Sequence, residues 1–396
     1  MLGLGALGLA GALTLAAFAA PAHRTAAAAT YTPADPAAVV ARVPTRDAAE
    51  LSARRTLAAA PDRVELAVDL ARADLRRYQK LSDPRFLGRA QATLAPWWGQ
   101  AAPPHEVLLL RATIRQSLHD FDDARADLDR AVAERPDDAQ AQLIRAVVAT
   151  VTADYARARG SCAAVARLSS ALVAAACTAP LDAIAGQADA AYANLAATLA
   201  AARGADAGVR GWARTTLAEL ALIRGDRAAA AGHLRVALEL DAGDAYARDL
   251  LADIMLLEGR AADASALLAG LEAIDSHLVR RAIAERASGG PDAQKLVAAM
   301  RDRIAAAAAR GDRIHLREEA RFALAVDGDA AAALRLARDN WAVQKELADA
   351  RLLAEAAVAA RDPEAARPVL AWARGHGLRD AELERVLALA HLETAR

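Results

Sequence analysis

A chain of 396 residues with 50 acidic and 49 basic side chains carries a net charge of −1, and between Glu106 and Arg159 the two signs alternate along the sequence instead of forming a block. That balance excludes the electrostatic footprint of a nucleic-acid or anionic-lipid binder. Alanine dominates and three of the bases are lysine (Lys80, Lys295, Lys345), a composition that favours helix because both Ala and Arg have high helix propensity.

Residues 1–22, MLGLGALGLAGALTLAAFAAPA, contain no charged side chain. Such a run reads as a secretory signal peptide or an N-terminal membrane anchor. Ala17-Phe18-Ala19 and Ala20-Pro21-Ala22 are the small-residue cleavage candidates, and a basic n-region is absent. The expected location is periplasmic or secreted, or the outer side of the cytoplasmic membrane if the segment is retained. Membrane contact is expected through residues 1–22 alone. Residues 23–46, rich in Ala, Pro and Thr, read as a flexible linker.

Helical periodicity starts near Asp47, and residues 47–104 form an N-terminal helical section broken by Pro61, Pro84 and Pro96. Residues 64–79 and 84–94 predict a helical pair, with Asp83 as N-cap and Pro84 in the first turn. Trp97 and Trp98 then close the section as core or capping residues.

From residue 105 to 288 the chain repeats. Phe121, Ala124 and Leu128 are answered one period later by Tyr155, Ala158 and Cys162. Gly225, Ala230 and Leu234 are answered, at the same step, by Gly259, Ala264 and Leu268. A fixed period of roughly 34 residues belongs to stacked helix–turn–helix units that cannot bury their apolar faces alone. Ala112, Ala146, Ala218 and Ala252 fall where a first helix would cross its partner closely, and Ala131 extends the inner face of a second helix. Between the third and fourth units, residues 203–210 are an irregular insertion that stretches the step from Gly186 to Gly225 beyond the period. Ser288-Gly289-Gly290-Pro291 reads as a breaker and hinge. Residues 291–396 carry weaker units, marked by Gly328 with Ala333 and by Asp362 with Ala366, and a final capping helix over 380–394.

On these residues the chain resembles the tetratricopeptide repeat family. The resemblance implies an all-α, right-handed α-solenoid of helix pairs, with an aromatic before the second helix and a concave groove lined by the first helices. It also implies a non-enzymatic scaffold of the cell envelope that binds a segment of a protein partner in that groove, the alternatives being a membrane-anchored structural subunit of an envelope complex and a helical-solenoid enzyme. Some members hold a partner's terminal carboxylate with Lys and Asn. No lysine falls between Leu108 and Ile274 here, and the asparagines are Asn194 and Asn340, so that clamp is not expected. Arg111, Arg115, Arg145, Arg214 and Arg248 lie on or near the first helices and are the candidate groove residues, able to meet carboxylates bidentately.

Cys162 and Cys177 would sit on neighbouring helices of adjacent units. A disulfide staple, two buried thiols and a redox or metal pair all remain open; a C-x-x-C motif is absent and no histidine lies nearby. Closing a loop of about 15 residues would contribute about 3 kcal/mol. None of the eight histidines pairs at i,i+4, and no G-x-S-x-G, P-loop, dinucleotide fingerprint or haem-attachment motif occurs. The acidic clusters Asp120–Asp123 and Asp137-Asp138 read as helix caps. No cofactor, metal or catalytic residue is expected.

Overall fold

In the computed structural model, residues 47–81, 84–309 and 315–389 are described, and no strand occurs among them. Residues 1–22 and the linker therefore lie outside the described residues, as do the end of the expected final helix and the expected N-cap Asp83. The N-terminal section comprises α1 (Ala48–Ala59), α2 (Val64–Leu81), α3 (Arg85–Thr93) and the short α4 (Ala95–Trp98). Trp97 is buried in the core of this section, and Trp98 lies beneath Arg115, 5.7 Å from its ring centre.

Eight antiparallel helical hairpins follow. They are α5 (His105–Ser117) with α6 (Phe121–Glu134), α7 (Ala139–Val151) with α8 (Tyr155–Leu168), α9 (Ala171–Ile184) with α10 (Ala188–Ala201), and α11 (Ala207–Ile223) with α12 (Arg227–Leu240). Next come α13 (Ala245–Leu257) with α14 (Ala261–Leu268), α15 (Asp275–Ser288) with α16 (Ala293–Ala309), and α17 (Leu316–Phe322) with α18 (Ala330–Val343). Helix α17 ends in a π-helical turn, Ala323–Asp327. The eighth pair is α19 (Leu347–Ala359) with a 3₁₀ turn (Pro363–Ala366) and α20 (Arg367–His376), and α21 (Ala381–Leu389) ends the stack.

One turn geometry recurs between the helices of each pair. His119, Ala153, Gly186, Gly225, Gly259, Gly289, Gly328 and Arg361 all have positive φ, between 55° and 80°. In this conformation the next amide reaches back five residues: Asp120 to the Arg115 carbonyl (2.9 Å), Asp154 to Ala149 (2.8 Å), Asp226 to Ala221 (2.8 Å) and Arg260 to Met255 (2.8 Å). The bond satisfies carbonyls that a helix C-terminus leaves orphaned. At Asp154 and Asp226 the same residue then caps the following helix, accepting from the amides of Arg157 and Ala229. A single aspartate thus ends one helix and starts the next.

The core is a chain of local clusters, most of them confined to consecutive hairpins, as expected of a stack in which each unit buries its face on the next. Ala112, Ala124, Leu128, Ala131, Ala158, Ala218, Ala230, Leu234, Ala252, Ala264 and Leu268 are fully buried, with Ala146 and Phe121 nearly so. Small side chains at the crossings let the helix axes approach, and leucines fill what remains. Tyr155 differs: it is half-exposed within the hairpin and finds its partner far along the chain.

The breaker at Ser288–Pro291 is the capped turn of the sixth hairpin, where a hinge was expected. Gly289 is the left-handed cap, and Leu278, Val279 and Ala282 on α15 pack with Leu296, Val297 and Met300 on α16 in one cluster that continues into Phe322. The Cys162–Cys177 disulfide joins α8 to α9, with the Cα atoms 5.7 Å apart.

The solenoid curls until its end meets its own early units. The Lys345 amide donates to the Val151 carbonyl at 2.8 Å, and Trp372 Nε1 donates to the Tyr155 hydroxyl at 2.9 Å. Arg227 pairs with Glu382, and Leu347 packs against the cluster formed by α9 to α11. The final helices therefore lie across the turns of the second to fourth hairpins.

Candidate functional site: an enclosed central chamber

Because the ends fold back, the concave face forms a partly open chamber of about 730 Å³. The first helices of the second to fourth hairpins supply an apolar wall that includes Leu143, Val147, Ile184, Trp212 and Leu220. Later first helices supply a charged wall that includes Arg280, Arg317, Glu318, Arg321, Glu346 and Arg351. Arg76 and Lys80 at the end of α2 complete the lining, and the Lys80 stem approaches Gly243 in the loop before α13.

The charged wall is a ladder between successive hairpins. Asp253 accepts from Arg280 at 2.8 Å and from Arg321 at 2.5 Å. Arg317 reaches both Asp349 oxygens, at 2.6 and 2.8 Å, and also Glu346. Arg351 bonds Asp380 at 2.5 and 3.0 Å. Bidentate geometry of this kind fixes the guanidinium planes. Burial opposes ionisation of Asp249, but Arg280 and His277 outweigh it and hold that carboxyl below its usual range.

Glu219 shifts the other way. Burial pushes its carboxyl up to about 7, and the Tyr246 hydroxyl that donates to it offsets this only in part. Burial likewise pushes the Tyr246 hydroxyl well above its ordinary range. Glu346 is also raised by burial, against the pull of Arg317. His119, at the first turn, is pushed down to about 4 by burial and by Arg317. The chamber thus presents a proton-holding acid, a neutral imidazole and oriented cations beside an apolar surface. No group of three or more metal-ligating side chains occurs among the described residues.

The five candidate groove arginines lie elsewhere. Arg111 is buried and clasps Asp127 (2.6 and 2.8 Å) while donating to the Trp98 carbonyl. Arg115 shares Asp127 at 2.6 Å. Arg145, in the same register as Arg111, donates to Ser161 at 2.8 Å. Arg214 meets His233 Nδ1 at 3.0 Å, and Arg248 donates to the Ala242 carbonyl. None of the five lines the chamber; Arg145 also lies 3.7 Å from Asp129 of the preceding hairpin, and Arg214 lines a separate cavity. Membership of a first helix fixes the element but leaves the rotation about its axis open. In α7 the chamber face is Leu143, Ala146, Val147 and Thr150, and Arg145 falls between.

The strongest units repeat at one constant step from one left-handed turn to the next, as from His119 to Ala153 and from Gly225 to Gly259, with alanine at the helix crossings. The described residues form an all-α helical-repeat solenoid. No protein-family model and no curated protein sequence matches it. Among solved structures, it is similar to a tetratricopeptide repeat protein from Parabacteroides merdae, at 13% identity over 73% of this chain and 99% of that one, with a TM-score of 0.37. It is also similar to the human IFIT1 dimer (10% identity, 86% and 84% of the two chains, TM-score 0.46). For yeast Tom70 the values are 13% identity, 87% and 91% coverage, and a TM-score of 0.32. The helical-repeat architecture itself rests on the chain's own turn and crossing geometry.

Proposed function

We propose that this tetratricopeptide-type chain is a non-catalytic binding scaffold of the cell envelope that encloses a short segment of a partner protein in its central chamber. The observation that carries this reading is the two-sided lining, with Trp212, Leu220 and Val147 facing Arg280, Arg317 and Arg321 across one cavity. A cavity of this size falls within the roughly 300–1,000 Å³ of sites that enclose a small guest. It suits a terminus or short loop better than a long extended strand. Apolar side chains of the guest would rest on one wall, and its carboxylates or carbonyls would meet the guanidinium ladder. An oxidising compartment is supported by the Cys162–Cys177 bond and by the apolar residues 1–22.

The test is site-specific photocrosslinking in native cells, with a photoreactive residue at Val147 or Thr150 inside the chamber and at Arg125 outside it. A protein adduct formed from the inner positions and absent from Arg125 is the expected result. Adducts from Arg125 alone would move the binding face to the outer surface and overturn the chamber reading.

A further inference from the structure

We infer that the insertion that breaks the repeat period builds a second binding site, selective for an oxyanion carried on a short apolar body. A cavity of about 440 Å³ opens between α10, α11 and α12, and it shares only Leu240 with the lining of the central chamber. Its polar lining is Arg203, Arg210, Arg214 and His233, and no acidic residue lines it. Leu199 and Leu217 are among the side chains of its apolar floor. Elsewhere in the chain, arginines in comparable surroundings face carboxylates, as Arg111 faces Asp127 and Arg317 faces Asp349. Here three arginines line one cavity whose lining contains no carboxylate.

Two details sharpen the assignment. Arg210 Nε is buried with no hydrogen-bond acceptor, an arrangement that costs free energy until an acceptor arrives. His233 accepts from Arg214 Nη1 at 3.0 Å through Nδ1, and its Nε2 lies 2.9 Å from the Tyr192 hydroxyl. That bonding leaves the ring neutral and holds Arg214 beside it, both in the lining of the cavity. Burial and Arg214 together lower the proton affinity of the ring, in keeping with the neutral form. Planar forks suit the paired oxygens of a phosphate or carboxylate, and the leucine floor suits an alkyl or aromatic body. Arg210 and Arg214 stand one turn apart on α11, and Arg203, in the segment between α10 and α11, joins them in the lining.

The inference is independent of the guest in the central chamber. Its test is calorimetric titration of the whole protein with hexyl phosphate, inorganic phosphate and hexanol. Hexyl phosphate is expected to bind at least tenfold more tightly than inorganic phosphate, with hexanol silent. The Arg203→Gln/Arg210→Gln double variant should weaken hexyl phosphate by tenfold or more. Arg203→Gln alone, at an exposed position, should weaken it measurably if the double variant fails to fold. Unchanged affinity in a folded variant would overturn the site. Equal affinity for inorganic phosphate would overturn the apolar half of the assignment, and no heat from hexyl phosphate at millimolar concentration would overturn both.

Discussion

The Trp372 indole nitrogen donates to the Tyr155 hydroxyl at 2.9 Å, across 217 residues of sequence. The bond sits in an aromatic seam: Tyr155 meets His376 edge-on at 4.8 Å, and Trp372 meets Trp341 edge-on at 5.3 Å. A solenoid unit ordinarily touches its neighbours alone. This seam is therefore where the stack becomes a chamber. Tyr155→Phe and Trp372→Phe, singly and together, should show a coupling of about 0.5–1.5 kcal/mol in urea unfolding. Strict additivity would mean that the two side chains do not meet in solution.

The glycine turns offer a sharper comparison. Gly186 and Gly259 both have φ above 70°, so either glycine replaced by alanine should cost about 1 kcal/mol in backbone strain. At Gly259 a Cβ would enter open space, whereas at Gly186 it would lie 2.5 Å from the Gly377 carbonyl oxygen. Gly186→Ala should accordingly destabilise more than Gly259→Ala and should loosen the C-terminal helices as well. Amide exchange in 367–389 reads the second effect. Conversely, Ala153→Gly should stabilise, because alanine there already sits at φ 60°.

Burial of Glu219 predicts a specific pH dependence. The unfolded carboxyl titrates near 4.5 and the folded one near 7. Between these values the folded state keeps a proton that the unfolded chain releases, so this group's contribution falls as pH rises through that window. Glu219→Gln retains an acceptor for Tyr246 and has no proton to lose. Its melting temperature relative to the parent should therefore climb from pH 5 to pH 7.5 and then level off. A difference independent of pH would show that Glu219 is ionised in the folded state throughout.

The disulfide closes a loop between α8 and α9, with Cys162 and Cys177 both buried. Replacing both cysteines with serine should lower stability by about 3 kcal/mol, with some further loss from burying hydroxyls. Thiol titration of the denatured, unreduced protein should find neither sulfur reactive. Stoichiometric labelling there would place both cysteines as free thiols.

How much of this was legible in the sequence follows from the range of the interactions. The spacing of Phe121, Ala124 and Leu128 against the next unit reports contacts within and between adjacent hairpins, so period, crossing alanines and glycine turns could be read directly. The pairing of Cys162 with Cys177 followed from the same register, although free thiols remained a chemical alternative until the two Cα atoms were placed. The sixth hairpin was hidden because its turn, Gly289, stands closer to Gly259 than one period and farther than one period from Gly328. A π-helical turn in α17 adds to the lost register. Closure left no local trace, since it sums many small rotations between units and is fixed by contacts such as Lys345 with Val151. Without closure the charged ladder of Arg280, Arg317 and Arg351 could not be recognised as a chamber wall. The arginines chosen from helix position, Arg111 and Arg145, proved to brace their own hairpins.

An engineered crosslink between the fourth hairpin and α21 reads closure of the stack in solution. A Cβ at Gly225 would lie 3.1 Å from that of Ala381, within easy adjustment of the roughly 3.5–4.5 Å a disulfide needs. The native cysteines are already bonded to each other, so the Gly225→Cys/Ala381→Cys protein carries one new pair. Spontaneous oxidation, with a faster-migrating unreduced band and no free thiol, is the result expected of a closed stack. Two thiols that stay fully titratable in the folded protein under mild oxidant would contradict it.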